Sequence, residues 1–328
     1  MTTYDDLAQV TLLIVGRVSD HARSRLVGSF DTVEIERGDA ALLTPPLAER
    51  VRGIAAFGPI DATFIDALPR LRIIASFGVG YDSVDARHAA SRGVMVTNTP
   101  DVLTEEVADT AIGLLIGTVR ELSRAEAYLR QGLWVTNGPY PLTRGTLRGR
   151  RAGIFGMGRI GQAIARRLEA FGLPVAYHNR RPVDGLKYEY HATLKGLAQA
   201  VDTLISVVPG TASTARVVNA EILEALGPDG VFVNIGRGTT VDDQALAAAL
   251  RDRRILAAGL DVFADEPHVP QDLLDLPNAV LLPHVGSASI HTRNAMADLV
   301  ADNLVNWFRF GRPLTPVPET EGIVANSE

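Results

Sequence analysis

An α/β architecture of two doubly wound parallel sheets, one domain inserted into the other, is the fold class that this 328-residue sequence predicts. Three observations carry it. Short apolar runs alternate with helical segments twice, once before residue 100 and again from residue 152, as in strands covered by crossover helices. A glycine-spaced turn, GMGRIG at 156–161, joins one such run to an amphipathic helix. The closing helix, 295–310, has no strand of its own to return to, so it is expected to pack on the first domain.

In chain order, VTLLIVGRV at 10–18 reads as a buried strand and a polar turn. VRGIAAF (51–57) and LRIIASF (71–77) read as strands, each followed by glycine. Between them 61–68 is a short helix ended by Pro69, and a helix at 85–93 leads to a strand at 94–97. Pro100-Asp101 then breaks the alternation. Thr104 reads as the N-cap of one long helix to about Arg130, with Glu105 and Glu106 in its first turn. The stretch 131–150 is rich in Gly, Pro, Thr and Arg, and a connection this long is usually functional or interfacial. A second series follows, with strands at 153–155, 175–178, 203–208, 231–235, 256–260 and 279–282. The expected division is 1–100 plus 288–328 for one domain and 101–287 for the other.

Composition narrows the function. The net charge of −6 gives no electrostatic reason to expect nucleic acid, and an apolar share of 46% is ample for ordinary cores. The absence of cysteine excludes disulfides, thiolate catalysis and Cys-based zinc sites. The longest apolar run, 111–119, is far short of a membrane span. MTTYDDLAQV lacks the basic-then-apolar layout of a signal peptide, so a cytoplasmic protein is expected.

The stretch 152–182 carries the first chemical signal. In G-x-G-x-x-G between a strand and a helix, Gly156 permits the tight turn and Gly158 lets a pyrophosphate approach the backbone. Gly161 lets the helix pack on the strand, and the N-terminus of that helix is expected to face the anion with unpaired N–H groups. Met157, Arg159 and Ile160 complete the loop. A Rossmann-like, dinucleotide-binding domain is the reading, against the alternative of a plain glycine turn.

In a NAD-specific fold the next strand ends in a carboxylate about 20 residues on, bonding the ribose 2′-OH. Here the position holds Asn179, followed by Arg180 and Arg181. Two guanidiniums suit a 2′-phosphate, so NADP(H) is expected over NAD(H). The alternative is a pair of solvated surface charges.

The other polar clusters also sit just after apolar runs, where a parallel sheet binds ligands at its carboxyl edge. Arg237, between Gly236 and Gly238, suits a substrate carboxylate as a bidentate fork, or is an exposed turn arginine. His284, between Pro283 and Val285-Gly286, is either a structural histidine or a general acid. Paired with Glu266 of DVFADEP, its imidazole would be held in one tautomer and its proton-bearing form favoured. The other six histidines lack such a context, and no His spacing suits a metal, so none is expected.

These pieces resemble the D-isomer-specific 2-hydroxyacid dehydrogenases. The likeness rests on GMGRIG (156–161), NIGRGTTVDDQAL (234–246), GLDVFADEP (259–267) and LLPHVGS (281–287), with SFGVGYDSVD (76–85) and TNTPDVLTEEVAD (97–109) in the first half. It covers nearly the whole chain and is strongest toward the glyoxylate/hydroxypyruvate and hydroxyphenylpyruvate reductases.

The resemblance implies two flavodoxin-like or Rossmann-like domains, the cofactor domain inserted into the substrate domain. It implies Arg237 as anchor of a 2-oxoacid, His284 as proton donor and Glu266 as its partner. Asp261 would orient the nicotinamide amide, and the backbone of Val79 and Gly80 would bind the substrate carboxylate. Thr104, Val208, Pro209, Thr214, Ile235 and Gly286 would complete the cofactor site. A homodimer is implied as well, with Trp134 reaching the partner's substrate pocket. One departure is Pro209-Gly210-Thr211-Ala212, where the family more often has Pro-Leu-Thr. Two rival readings stand beside it, the first of the same fold and the second sharing only the glycine loop. A nucleotide-sensing corepressor would use the cofactor to control assembly, and a methyltransferase would leave Arg237, Glu266 and His284 without a role.

Overall fold

The structure, a computed structural model, describes residues 6–324; MTTYD of the acidic N-terminal stretch and the last four residues lie outside. The chain forms two compact units. One runs to Leu103 and resumes at Ser289, and the other is Thr104–Ala288.

The first unit opens with β1 (Thr11–Val15), α1 (Asp20–Val27), β2 (Asp31–Ile35), α2 (Pro45–Ala48) and β3 (Val51–Ala56). It continues with α3 (Ala62–Asp66), β4 (Ile73–Ser76), α4 (Ala86–Ser91) and β5 (Met95–Thr97). Ser19, Asp61 and Asp85 cap α1, α3 and α4 by accepting from the N–H of Ala22, Phe64 and His88. The strands lie parallel in the order β2-β1-β3-β4-β5. β1 is an interior strand, buried throughout. Its alternation sends Leu13 and Val15 to one core and Leu12 and Ile14 to the other.

The second unit begins with α5 (Thr104–Val119), α6 (Leu122–Arg130) and α7 (Leu133–Asn137). The sheet series is β6 (Ala152–Phe155), α8 (Arg159–Ala170), β7 (Val175–His178), β8 (Glu189–Tyr190), α9 (Leu194–Ala200) and β9 (Thr203–Ser206). Then come α10 (Ala220–Leu226), β10 (Val231–Asn234), α11 (Asp243–Arg251), β11 (Ala257–Leu260), α12 (Gln271–Leu274) and β12 (Ala279–Leu281). All seven strands are parallel, ordered β12-β11-β10-β9-β6-β7-β8. Strand order reverses between β6 and β9, which makes the space beyond their carboxyl ends the ligand crevice of such a sheet. The last helix, α13 (Ile290–Phe310), returns to the first unit, where Leu304, Trp307 and Phe308 pack with Leu12, Ile14 and Ile73.

Several elements differ from the sequence reading. The helix expected to run from 104 to 130 breaks at Glu121, which takes a left-handed conformation with φ 51°. Thr104 is the first helical residue rather than the cap. The loop 131–150 contains α7, and α13 starts at Ile290 because Ser289 caps it by accepting from the Thr292 N–H. The crossings between units accordingly fall at 103/104 and 288/289. α1, β2 and the two-residue β8 were not expected.

Candidate active site

The glycine loop lies at the switch point, and its three glycines answer to three different constraints. Gly156 has φ +106°, and a Cβ there would meet Val208 Cγ1 at 2.9 Å. At Gly161 a Cβ would stand 2.2 Å from the Gly156 carbonyl oxygen, so α8 can close on the loop only without a side chain. Gly158 is different. Its φ is an ordinary −82°, and a Cβ would have nothing within 4 Å. Neither strain nor crowding within the protein requires glycine there, which leaves close approach of a ligand to the backbone as the physical reason. α8 also has no side-chain cap at its N-terminus, unlike α9, α10 and α11, which suits a terminus that faces an anion. The loop therefore fits a dinucleotide pyrophosphate.

At the end of the neighbouring β7, His178 stacks on Phe155 with centroids 5.6 Å apart. Asn179 Oδ1 accepts a 2.7 Å hydrogen bond from the Met157 N–H, tying the end of β7 to the glycine loop. Arg180 and Arg181 follow as exposed side chains, and no carboxylate stands among the three.

Beyond β9 and β10 the chain is packed backbone to backbone. Thr214 Oγ1 donates to the Pro209 carbonyl at 2.7 Å and accepts from the Thr211 N–H at 2.9 Å. A Cβ on Gly210 would lie 2.8 Å from Thr239 Oγ1 and 3.3 Å from Arg237 Cγ, so Gly210 gives room to the arginine stem and to Thr239. Gly236 and Gly238 flank Arg237 for a similar reason. Their Cβ atoms would fall 2.7 Å from the Val208 carbonyl oxygen and 1.9 Å from the Phe263 carbonyl carbon. Asn234, fully buried beside Ile235, accepts from the Gly236 N–H at 3.1 Å and donates to the Arg237 carbonyl at 3.0 Å. Thr240 Oγ1 donates to that same carbonyl at 2.7 Å. Arg237 thus stands on a backbone fixed from both sides, and its Nη1 donates to the Gly236 carbonyl at 2.9 Å.

The histidine cluster is a continuous chain of bonds. His284 Nδ1 and Glu266 Oε2 are 2.7 Å apart, and Glu266 Oε1 accepts from the Phe263 N–H at 3.0 Å. Burial pushes the Glu266 carboxyl up, but the His284 bond, the Phe263 N–H and the nearby Arg237 outweigh it and hold the group below its ordinary value. His284 itself sits in the left-handed region, φ 52°. Asp261 fixes it there. The Asp261 carbonyl accepts from the His284 N–H at 2.8 Å, while its two carboxylate oxygens accept from Val285 and Gly286 at 2.7 and 2.8 Å. Asp261 is only 1% exposed, and burial pushes its carboxyl up against the pull of those two N–H groups. Both Asp261 carboxylate oxygens thus serve the 284–286 loop.

In the first unit, the loop after β4 carries Val79 and Gly80. Asn98 Nδ2 donates to the Val79 carbonyl at 2.8 Å and the Thr99 N–H to that of Gly78 at 2.8 Å. Neither the Val79 nor the Gly80 N–H donates to a backbone acceptor among the described residues. Asn98 and Asn234 escaped the sequence reading; each is an asparagine next to the end of a buried strand, which is the signal that could have found them. Thr104 opens α5, and Trp134 on α7 is 62% exposed.

Among the described residues there is no group of three or more His, Cys, Asp or Glu placed to hold a metal ion, and no helix is long and apolar enough to cross a membrane.

A strand-turn-helix dinucleotide cradle, with a histidine-carboxylate pair and a fixed arginine on the same sheet edge, defines a nicotinamide-dependent oxidoreductase. Comparison with known proteins gives the family. The profile for the D-isomer specific 2-hydroxyacid dehydrogenase NAD-binding domain matches residues 112–286. The chain is 48% identical over 257 residues to a glyoxylate/hydroxypyruvate reductase of Arabidopsis thaliana, covering 78% of this chain and 82% of that one. It is 47% identical over 273 residues to a hydroxyphenylpyruvate reductase of Plectranthus scutellarioides, covering 82% and 86%. The crystal structure of an NADPH-dependent glyoxylate/hydroxypyruvate reductase from Sinorhizobium meliloti, in complex with NADP and malonate, superposes with a TM-score of 0.95 at 57% identity, covering 98% of this chain and 100% of that one. The chain belongs to the D-isomer-specific 2-hydroxyacid dehydrogenase family, and its second unit contains an NAD(P)-binding domain.

Proposed function

We propose that the protein is an NADPH-dependent reductase of small 2-oxoacids, glyoxylate and hydroxypyruvate foremost. The His284–Glu266 pair carries this reading, because it provides a histidine with one nitrogen committed and the other left for a substrate. When bound, the nicotinamide supplies hydride to C2 of the oxoacid. Arg237 pairs its guanidinium with the substrate carboxylate. His284 donates the proton from Nε2 to the carbonyl oxygen. Glu266 keeps the proton on Nδ1 and stabilises the imidazolium before transfer. Asp261 holds the loop that presents His284; its remaining lone pairs would orient the nicotinamide amide.

Gly156, Met157, Gly158, Arg159, Ile160 and Gly161 would hold the pyrophosphate. Thr104, Val208, Pro209, Thr214, Ile235, Gly236 and Gly286 would line the rest of the cofactor site. Arg180 and Arg181 would pair with a 2′-phosphate that Asn179 does not repel, which favours NADP(H) over NAD(H). The S. meliloti relative, described as NADPH-dependent, supports the same preference.

A homodimer belongs to this reading. The arm after α5 exposes Trp134, Val135 at 92% and Leu142 at 99%, apolar surface that a second copy would cover. Light scattering should give a dimer, and a monomer would refute it. The activity is tested with a panel of 2-oxoacids and both cofactors. Turnover of glyoxylate and hydroxypyruvate supports the proposal, turnover confined to aryl pyruvates shifts it to larger substrates, and no turnover with any oxoacid overturns it.

A further inference from the structure

The loop that carries Arg180 and Arg181 is held by two tyrosines outside the glycine motif. Asn179–Val183 leaves β7 and bends at the two arginines, whose side chains are exposed. Its backbone is fastened at both ends. Tyr190 Oη, on the edge strand β8, donates to the Asn179 carbonyl at 3.2 Å. Tyr177 Oη, on β7, accepts from the Val183 N–H at 2.9 Å. The two rings lie against each other, centroids 5.4 Å apart, and Tyr177 is 2% exposed. With the Asn179 bond to the Met157 N–H, three hydrogen bonds fix a five-residue segment whose two arginines are exposed.

That arrangement has a chemical consequence. A long arginine side chain on a mobile loop loses much of its binding gain to the ordering of backbone and rotamers, and a loop already held in place lowers that loss. We propose that Tyr177 and Tyr190 are positioning residues for cofactor choice. By pinning the Asn179–Val183 backbone they present Arg180 and Arg181 to the adenosine 2′-phosphate. The ligand class is therefore a dinucleotide bearing that phosphate, and the inference rests on the reading of Arg180 and Arg181 as its partners. Neither tyrosine touches the nucleotide in this account. Their effect passes through the loop and falls only on the cofactor that carries the extra phosphate.

The test is isothermal titration of NADP+ and NAD+ into the wild type and into Tyr190→Phe, Tyr177→Phe, Arg180→Ala and the Arg180→Ala/Tyr190→Phe double variant. Phenylalanine keeps the ring packing and removes only the hydroxyl. Tyr190→Phe should weaken NADP+ about 3- to 10-fold, the effect of one hydrogen bond, and leave NAD+ unchanged. In the Arg180→Ala background the same change should have a clearly smaller effect, because the interaction it serves has been removed. Tyr177 is buried and its variant can fail to fold; half-buried Tyr190 then carries the test alone. Equal losses for both cofactors would mark the tyrosines as merely structural and overturn the proposal, as would an unchanged NADP+ affinity in Tyr190→Phe. A wild type that binds NADP+ no tighter than NAD+ would overturn the arginine reading itself, and this proposal with it. A preference of undiminished size in the tyrosine variants overturns this proposal alone.

Discussion

Glu266 Oε2 lies 2.7 Å from His284 Nδ1, while the other oxygen of the same carboxylate is held by the Phe263 N–H. The carboxylate is therefore fixed before it touches the imidazole. The ring is oriented by a rigid partner, with Nε2 turned to the substrate in the proposed chemistry. His284→Ala should lower kcat for 2-oxoacid reduction by about 10²- to 10⁴-fold, the usual contribution of one general acid. Cofactor dissociation constants should hardly move. An unchanged kcat in the folded variant would remove His284 from the mechanism.

The same pair sets the pH dependence. Glu266 Oε2 lies 2.7 Å from His284 Nδ1, so its carboxylate belongs to the proposed proton-transfer unit. Glu266→Gln removes that carboxylate and should change the pH profile of kcat/KM relative to the wild type. The Glu266 carboxyl is held below its ordinary value, so its ionised state persists further into acid than that of a free glutamate. Its contribution to stability is present above the unfolded-state value and is lost as pH falls through the folded one. Superimposable kcat/KM profiles for the two proteins would show that the residues are not coupled.

Arg237 stands on a backbone that Gly236, Gly238, Asn234 and Thr240 hold, so exchange of its side chain should leave the loop in place. Arg237→Lys keeps the charge and loses the planar fork. KM for the oxoacid should rise by about 10- to 100-fold, the scale of one charge-assisted hydrogen bond. KM for the cofactor should stay near its wild-type value. The opposite pattern would make Arg237 a nucleotide residue.

Two glycines of one loop should respond in opposite ways. Gly158→Ala adds a methyl group that meets no protein atom within 4 Å, so Tm should be unchanged while the cofactor binds at least several-fold more weakly. Gly161→Ala drives a Cβ to within 2.2 Å of the Gly156 carbonyl oxygen and should cost about 1–3 kcal/mol of stability, as overpacked sites do. Thermal melts with and without cofactor separate the two. A Gly158→Ala protein with wild-type affinity would mean that no phosphate approaches that backbone.

The parts legible in the sequence were those with strong local chemistry. The glycine loop, the strand-end clusters and the buried strands each announce themselves through spacing or apolar runs. β2 did not, because DTVEI is a half-exposed edge strand with charged residues at two of its five positions. α1 buries only Ala22 and Leu26, too little to show a periodic face. The break at Glu121 falls among good helix formers with no Gly or Pro to mark it. The start of α13 was hidden because Ile290 is 82% exposed and reads as loop. In the site, the pairing of Glu266 with His284 was readable, but the backbone contacts that hold the strand-end loops were not. Asn234, Asp261, Tyr177 and Tyr190 act through backbone groups 2 to 25 residues away, and such partners follow from the fold rather than from any local pattern.

The most direct test of the central claim is kcat/KM for NADPH and NADH, measured side by side with hydroxypyruvate on the wild type and on Asn179→Asp. The variant keeps an oxygen for the Met157 N–H and adds a charge that repels a 2′-phosphate while accepting from a ribose hydroxyl. The wild type should reduce hydroxypyruvate with NADPH preferred by about 10- to 100-fold, one well-placed arginine's worth, and Asn179→Asp should move the ratio toward NADH. Equal values for the two cofactors in the wild type, or no oxidation of either with hydroxypyruvate, would contradict the account.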